Sequence, residues 1–573
     1  MSRTESRAAA ASVLRAATLL AVVVLAASAF SEKDPPAAAR TFTDATAAAG
    51  IRFKHNSGAF GKKYLPETMG SGVAFLDADG DGWQDLLFAQ SKNWPERKGA
   101  PSLPALYRNN RNGTFTDVTG ASGLAVEMYG LGVTAADYDN DGDTDVYLTA
   151  LGPNRLFRNG GAGRFEDVTV RAGVGDPGFS SSALWFDYDR DGRLDLFVAN
   201  YVDWSIEKDL FCTLDGRSKS YCTPETYKGQ SPTLYRNKGD GTFENATKRA
   251  GLFDPANKML GVALIDYDED GWMDVFGAND TQPNRLYRNK GDGTFTDVAL
   301  AAGVAFNDAG VARAGMGVDT ADYDGSGRSS ILIGNFSNEM MALYSNEGNG
   351  LFIDKAPGST IGKASQLSLS FACFFFDYDL DGLLDIFAAN GHVADDIEAV
   401  QRNVTYAQAP HLFRNVGKKK FDLASGSVGA AFRQPVVGRG AAYGDYDNDG
   451  DLDLVTTANN GPARLLRNDG GGNAMLRVTA LTATGRPAIG AKIRLDVGGA
   501  RRTAMVKTGS SYLSQSELPV TFGLGPMRSV STIDITWPNG KSERFPSAGA
   551  NLALTIQEGK GIVRSVAIPA AAR

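Results

Sequence analysis

Seven short stretches of this chain place carboxylates at a fixed spacing. The stretch 137–145 reads Asp-Tyr-Asp-Asn-Asp-Gly-Asp-Thr-Asp, with acids at positions one, three, five and nine and glycine at position six. A hard cation such as calcium takes six to eight oxygens at about 2.3–2.6 Å, and a tightly curled acidic loop can supply them. Here Asp137, Asp139 and Asp141 would converge, Gly142 would permit the sharp turn, and Asp145 would cap the site. The closing acid falls at position nine, not at position twelve as in a helix–loop–helix calcium site, which suits a turn between two strands.

The same pattern gives five further candidate calcium sites: Asp77, Asp79, Asp81, Asp85; Asp187, Asp189, Asp191, Asp195; Asp266, Asp268, Asp270, Asp274; Asp377, Asp379, Asp381, Asp385; and Asp445, Asp447, Asp449, Asp453. Magnesium is disfavoured, since it sheds water reluctantly. The seventh stretch, from Asp322, carries Ser326 and Ser330 in place of acids, with Arg328 beside them. With two carboxylates left, it should bind calcium weakly or not at all.

The elements that would hold these loops recur with them. A short apolar run precedes each loop (Gly132-Val-Thr-Ala-Ala136) and another follows (Asp195-Leu-Phe-Val-Ala199), both strand-like in length and composition. A Leu-aromatic-Arg-Asn type strand recurs from Leu106 to Leu465, and a Gly-Thr-Phe-Thr-Asp type strand is centred on Phe115, Phe165, Phe243, Phe295, Phe352 and Phe421. Runs such as Asn289 to Gly293 between these two are hairpin-turn chemistry. Each unit therefore has four strands, A to D, with the acidic loop joining A to B.

The seventh D strand is missing after Leu465 and appears at the other end, in Thr41-Phe-Thr-Asp44. Letting this strand complete the last unit removes an open sheet edge. The expected fold is all-β: a seven-bladed β-propeller over residues 41–470, closed by its amino-terminal strand, followed by a small, separate β-sandwich-like domain over 473–560 and a loose tail over 561–573. All acidic loops would share one face. Long B–C insertions would lie opposite, carrying Trp94, Tyr201, Trp204, Tyr221, Tyr227 and His392 as candidates for partner contact or for packing over the end of the ring.

Composition sets further bounds. The net charge of −8 argues against a nucleic-acid partner. Residues 1–29 hold three arginines, one glutamate and an apolar run from Ala16 to Ala27, ending in Ala27-Ser28-Ala29; this reads as an export signal, too short to span a bilayer. Its removal would leave about −10, and six bound calcium ions would bring the charge to about +2, so the acidity reads as ligand charge. Cys212 and Cys222 sit in a polar insertion and suit a disulfide in an exported protein, whereas Cys373 lies in an apolar run and reads as buried.

The repeated region resembles the FG-GAP/VCBS repeat family, whose members use similar acidic loops for calcium. The stretches Ala488-Ile-Gly-Ala-Lys-Ile493, Ser511-Tyr-Leu-Ser-Gln-Ser516, Phe522-Gly-Leu-Gly525 and Trp537-Pro-Asn-Gly540 resemble the ASPIC/UnbV domain. In this order the two resemble the cartilage acidic protein family and its bacterial relatives, over residues 41–560. Thr521 departs from the pattern, where many relatives are expected to carry histidine. The resemblance implies architecture more than activity.

Catalytic signals are thin. There are three histidines, His55, His392 and His411, and no zinc-protease motif, nucleophile elbow or phosphate-binding glycine loop. The sequence therefore points to a secreted or periplasmic recognition or adhesion module for a protein or glycan ligand, with calcium mainly structural and no membrane span after signal cleavage. The alternative is a polysaccharide-active enzyme, a lyase or hydrolase, on a propeller scaffold.

Overall fold

The computed structural model describes residues 41–568; the export signal falls outside the described residues. The repeat folds as blades. In one, strands Gly130–Ala136, Asp145–Ala150, Arg155–Asn159 and Phe165–Asp167 pair antiparallel in sequence order. Six four-stranded sheets have this form. In a seventh, Gly438–Gly444, Asp453–Ala458 and Arg464–Asn468 are joined by Phe42–Asp44, with Phe42 opposite Asn468. That D strand comes from the far end of the chain because the repeat after Leu465 offers none.

A strands are buried along their length, and each lies against the A strand of the next blade. Val73–Leu76 lies against both Gly130–Ala136 and Gly438–Gly444. The core is divided among clusters between neighbouring blades; one joins Val73, Phe75 and Phe88 to Tyr446, Val455 and Leu465, the first blade to the last.

The asparagine ending each C strand links blades. Asn159 Nδ2 donates to Ala78 O of the preceding blade (2.8 Å), and Asn237, Asn289, Asn346, Asn415 and Asn468 repeat this bond one blade on. Asn109, in the first blade, donates to Tyr446 O of the last (2.8 Å).

The carboxy-terminal region folds as two four-stranded sheets. One holds Val520–Gly525, Ala474–Leu481, Leu552–Gln557 and Gly561–Ala567; the other holds Ala500–Met505, Lys492–Val497, Thr532–Thr536 and Ser542–Phe545. Leu476, Val478, Leu554, Ile493, Ile533, Ile535 and Trp537 share one core. Two expectations are corrected. Residues 561–567 are not a loose tail but an edge strand, with Arg564 paired to Thr555 and Val566 to Ala553.

Nor is the domain separate from the blades. Its segment 507–517 enters the axis of the blades and bonds to their innermost strands. Val318 and Ser511 exchange backbone hydrogen bonds (2.9 and 2.7 Å), Val133 N donates to Leu513 O (3.0 Å), and Phe75 N donates to Gln515 O (3.1 Å). Gln515 Nε2 donates to Ala135 O, and Ser511 Oγ to Ala441 O. Tyr512 and Leu513 are fully buried there. Glycine makes this approach possible: a Cβ on Gly72 would collide with Leu513 O.

Candidate metal centres

All seven loops curl in the same way. The sixth residue is glycine at positive φ in each, from +85° at Gly271 and Gly327 to +98° at Gly142. The fourth residue is also left-handed in all seven loops, and in five of them it is not glycine, as Asn140 (φ 61°) and even Leu380 (φ 53°), conformations that cost most residues energy. Position one receives the turn: Asp141 N and Gly142 N donate to the two oxygens of Asp137 (3.1 and 3.0 Å). Position nine fastens the loop to the sheet: Tyr138 N and Asn159 N donate to the two oxygens of Asp145 (3.1 and 2.8 Å). The backbone thus delivers these carboxylates to one point.

The structure brings together positions one, three and nine. Asp77, Asp79 and Asp85 each offer an oxygen within 4.8 Å of the other two; the triads at Asp137, Asp187, Asp266 and Asp377 do the same. The fifth-position acids fall outside these triads. Their Oδ1 accepts from the residue two on, as Asp81 Oδ1 does from Trp83 N (2.8 Å).

In four of the six loops the acids are not left wholly to repel one another, because the arginine of the C strand reaches them. Arg158 lies 2.6 Å from Asp139 Oδ2 and 2.7 Å from Asp141 Oδ2; Arg236, Arg288 and Arg414 repeat this in their blades. The arginine takes the outer oxygens only. The inner Oδ1 of Asp79, Asp139, Asp189, Asp268 and Asp447 is buried with no hydrogen-bond partner, as is Asp377 Oδ1 in the sixth loop. A buried carboxylate oxygen without a donor is costly. Burial also pushes Asp85 up to about 7 and Asp145 up to about 8, and raises Asp195 and Asp274 well above the usual carboxylate range. Orphaned inner oxygens beside two more carboxylates fit a hard cation.

The Asp322 loop also keeps an orphaned inner oxygen, Asp322 Oδ1, and differs instead in its missing acids and in its neighbour. Asp324 faces Lys419 Nζ at 2.9 Å, and the same ammonium donates to Ser345 Oγ (3.0 Å). Lys419 sits in the C–D turn of the next blade, where the corresponding residues are Gly113, Gly163, Gly241, Gly293 and Gly350. The loop that lacks two acids is therefore met by a built-in cation. Neither Lys419 nor the C-strand arginines were singled out from sequence; aligning the C–D turns would have exposed the lysine.

The two-sheet domain covers this face. Arg477 lies 3.5 Å from Asp445 and is paired with Glu517; Thr521 Oγ1, at the position where histidine is expected, accepts from it (3.2 Å). Lys492 lies 3.7 Å from Asp266, Arg486 donates to Gly192 O (2.7 Å), and Arg502 to Asp381 O (3.4 Å). On the opposite face the insertion aromatics are not available as surface anchors: Trp94, Tyr201, Trp204, Tyr227 and His392 are buried, and Tyr221 is half-buried. They pack together over the end of the blades, Trp94 stacking on Tyr129 with centroids 4.6 Å apart, because long insertions have enough side chain to make their own core. Cys212 and Cys222 form a disulfide in this insertion, and Cys373 is buried.

The histidines are held by neutral neighbours. His55 Nε2 lies 3.3 Å from Ser91 Oγ and its Nδ1 accepts from Asn460 N; His392 Nδ1 accepts from Ala394 N; His411 Nε2 lies 3.0 Å from Ser368 Oγ. Burial pushes His55 down to about 3 and the other two down to about 4.

Comparison with known proteins places these features. The FG-GAP-like repeat family matches residues 77–148, 137–198, 208–277 and 266–333, and the ASPIC and UnbV family matches residues 481–563. The chain is an FG-GAP repeat protein with an ASPIC/UnbV domain. It is 31% identical to cartilage acidic protein 1 of Homo sapiens over 310 residues, 52% of this chain and 43% of that protein. With the Xenopus tropicalis protein of the same name it shares 29% over 361 residues, 60% of this chain and 49% of that one. This FG-GAP chain thus spans less than half the length of the curated relatives it matches. A solved structure of YCF48 bound to D1 peptide overlaps 76% of this chain and 98% of that chain at 8% identity, with a TM-score of 0.40, too low to carry an argument.

Proposed function

We propose that this chain is an exported, calcium-stabilised propeller of seven blades, closed by its amino-terminal strand, that serves as a recognition or adhesion module. The cycle of asparagine bonds, ending with Asn109 on Tyr446, supports closure. Positions one, three and nine of six loops would hold calcium, and the orphaned inner oxygens support that assignment. The Cys212–Cys222 disulfide supports an oxidising compartment. Among the described residues no helix is long and apolar enough to cross a membrane.

The distribution of surfaces carries the functional reading. The ASPIC/UnbV domain occupies the loop face, so a partner has the insertion face. There the disulfide-stapled segment presents Phe211 at 67% exposure, flanked by Leu210 and Leu214, and Phe253, Val311 and Val400 are exposed on connections of the same side. Exposed apolar side chains on a covalently braced loop suit a protein partner, with a glycan as the alternative.

Calcium-loaded protein should be presented to panels of extracellular proteins and polysaccharides beside its Phe211→Ser variant. Binding that the variant loses supports recognition through the insertion face. Protein binding that the variant keeps in full refutes it, and release of new ends from a bound polysaccharide would replace recognition with catalysis.

A further inference from the structure

The ASPIC/UnbV domain does not cover the loop face evenly. Its cations meet the loops of blades three, four, six and seven, and Lys507 bonds to Asp319 and Thr320 O just ahead of the Asp322 loop. The loops of blades one and two are left facing a cleft of about 690 Å³ between the blades and the domain. Cavities of this size at a junction between domains are where small ligands and short chains bind.

The chemistry of the two walls is specific. On the domain wall, Thr479 is paired with Thr555 across parallel strands, and Thr555 with Arg564 across the next pair. The three line the cleft as a row of hydroxyl, hydroxyl and guanidinium, one per strand, at the roughly 4.8 Å spacing of neighbouring strands. None of the three side chains has a hydrogen-bond or ion-pair partner among the described residues, unlike Arg477, which is held by Glu517. On the blade wall, Asp143 likewise has a free carboxylate, and Trp83 lines the same cleft half-exposed.

Free hydroxyls, one guanidinium, one carboxylate and one indole together match a hydroxyl-rich ligand with apolar C–H faces. A carboxylate and a guanidinium accept from and donate to vicinal hydroxyls, and an indole face takes the C–H side of a pyranose ring. An apolar peptide would leave this row unpaired. We infer that the cleft between blades one and two and the ASPIC/UnbV domain is a carbohydrate-binding site, with Thr479, Thr555 and Arg564 facing Asp143 and Trp83 across it. The site exists only where both domains meet, and it is distinct from the insertion face proposed above.

The test uses the full-length calcium-loaded chain on a glycan array and a peptide array, with Thr479→Val, Arg564→Ala and Phe211→Ser as variants. Thr479 is partly exposed, Arg564 is exposed and neither side chain has a bonding partner among the described residues, so their replacement leaves the fold intact, which the melting curve checks. The expected result is glycan binding weakened at least tenfold by Thr479→Val and by Arg564→Ala and unchanged by Phe211→Ser. An array without glycan binders, capture of peptides alone, or glycan binding indifferent to both cleft substitutions overturns the inference. Loss in Phe211→Ser alone would assign the glycan to the insertion face and overturn the cleft while upholding that reading.

Discussion

Removing calcium should lower the melting temperature by about 7 °C. Six loops pair an orphaned inner oxygen with buried neighbouring carboxylates, so each has a reason to hold one ion. With a dissociation constant of about 10⁻⁴ M and free calcium of about 10⁻³ M, each site adds about 1.4 kcal/mol, and six independent sites about 8 kcal/mol. Unfolding entropy near 2.1 cal/mol/K per residue gives roughly 1.1 kcal/mol/K for the described chain, and the quotient is about 7 °C. The figure counts binding alone. Scanning calorimetry in calcium and in excess chelator measures it, with magnesium added to the chelated sample to separate a specific site from general screening. A shift below about 2 °C, or one that magnesium abolishes, would refute the reasoning.

Other outcomes follow from the same geometry. Replacing Lys419 by glycine while restoring Asp at 326 and 330 should create a seventh calcium site, read as one additional ion per chain; Lys419→Met alone should destabilise the protein by about 1–3 kcal/mol, because Asp324 loses its counter-ion in a half-buried setting. In chelator, melting temperature should fall as pH rises from about 5 to 8. Burial holds Asp85 near 7 and Asp145 near 8 against an unfolded value near 3.8, so the folded state binds the extra protons in that window and loses stability as they leave. Calcium should abolish this slope. Gly72→Ala forces the plug at Leu513 to shift and should cost about 1–3 kcal/mol, with faster proteolysis in the 469–473 connection as the marker of undocking.

The blades were legible because their signal is local and repeated. Glycine at the sixth loop position is read directly from sequence, and the structure gives it positive φ every time. The displaced strand at Thr41-Phe-Thr-Asp44 could be found because its type was known from six copies, and Phe42–Asp44 does pair with Arg464–Asn468. Spacing also marked the acids, but not their division of labour. Which oxygen faces inward depends on where Arg158 and its counterparts place their guanidinium groups, a contact between strands that spacing does not encode.

What stayed hidden lies between domains. Ser511 to Ser516 carries no periodicity that announces a plug, and its partners Val318, Val133 and Phe75 are hundreds of residues away. The insertion aromatics had two readings for a related reason, and the structure takes the packed one: Trp94 and Trp204 sit on loops long enough to bury them against one another, with ring centroids 5.5 Å apart.

Calcium stoichiometry is the most direct measurement. Protein equilibrated at millimolar free calcium, then freed of unbound metal and analysed for calcium against protein concentration, should hold close to six ions per chain, falling to five in Asp139→Ala and unchanged in Asp324→Ala. Fewer than two ions per chain, or a count that ignores Asp139→Ala, would contradict a propeller held together by metal in its acidic loops.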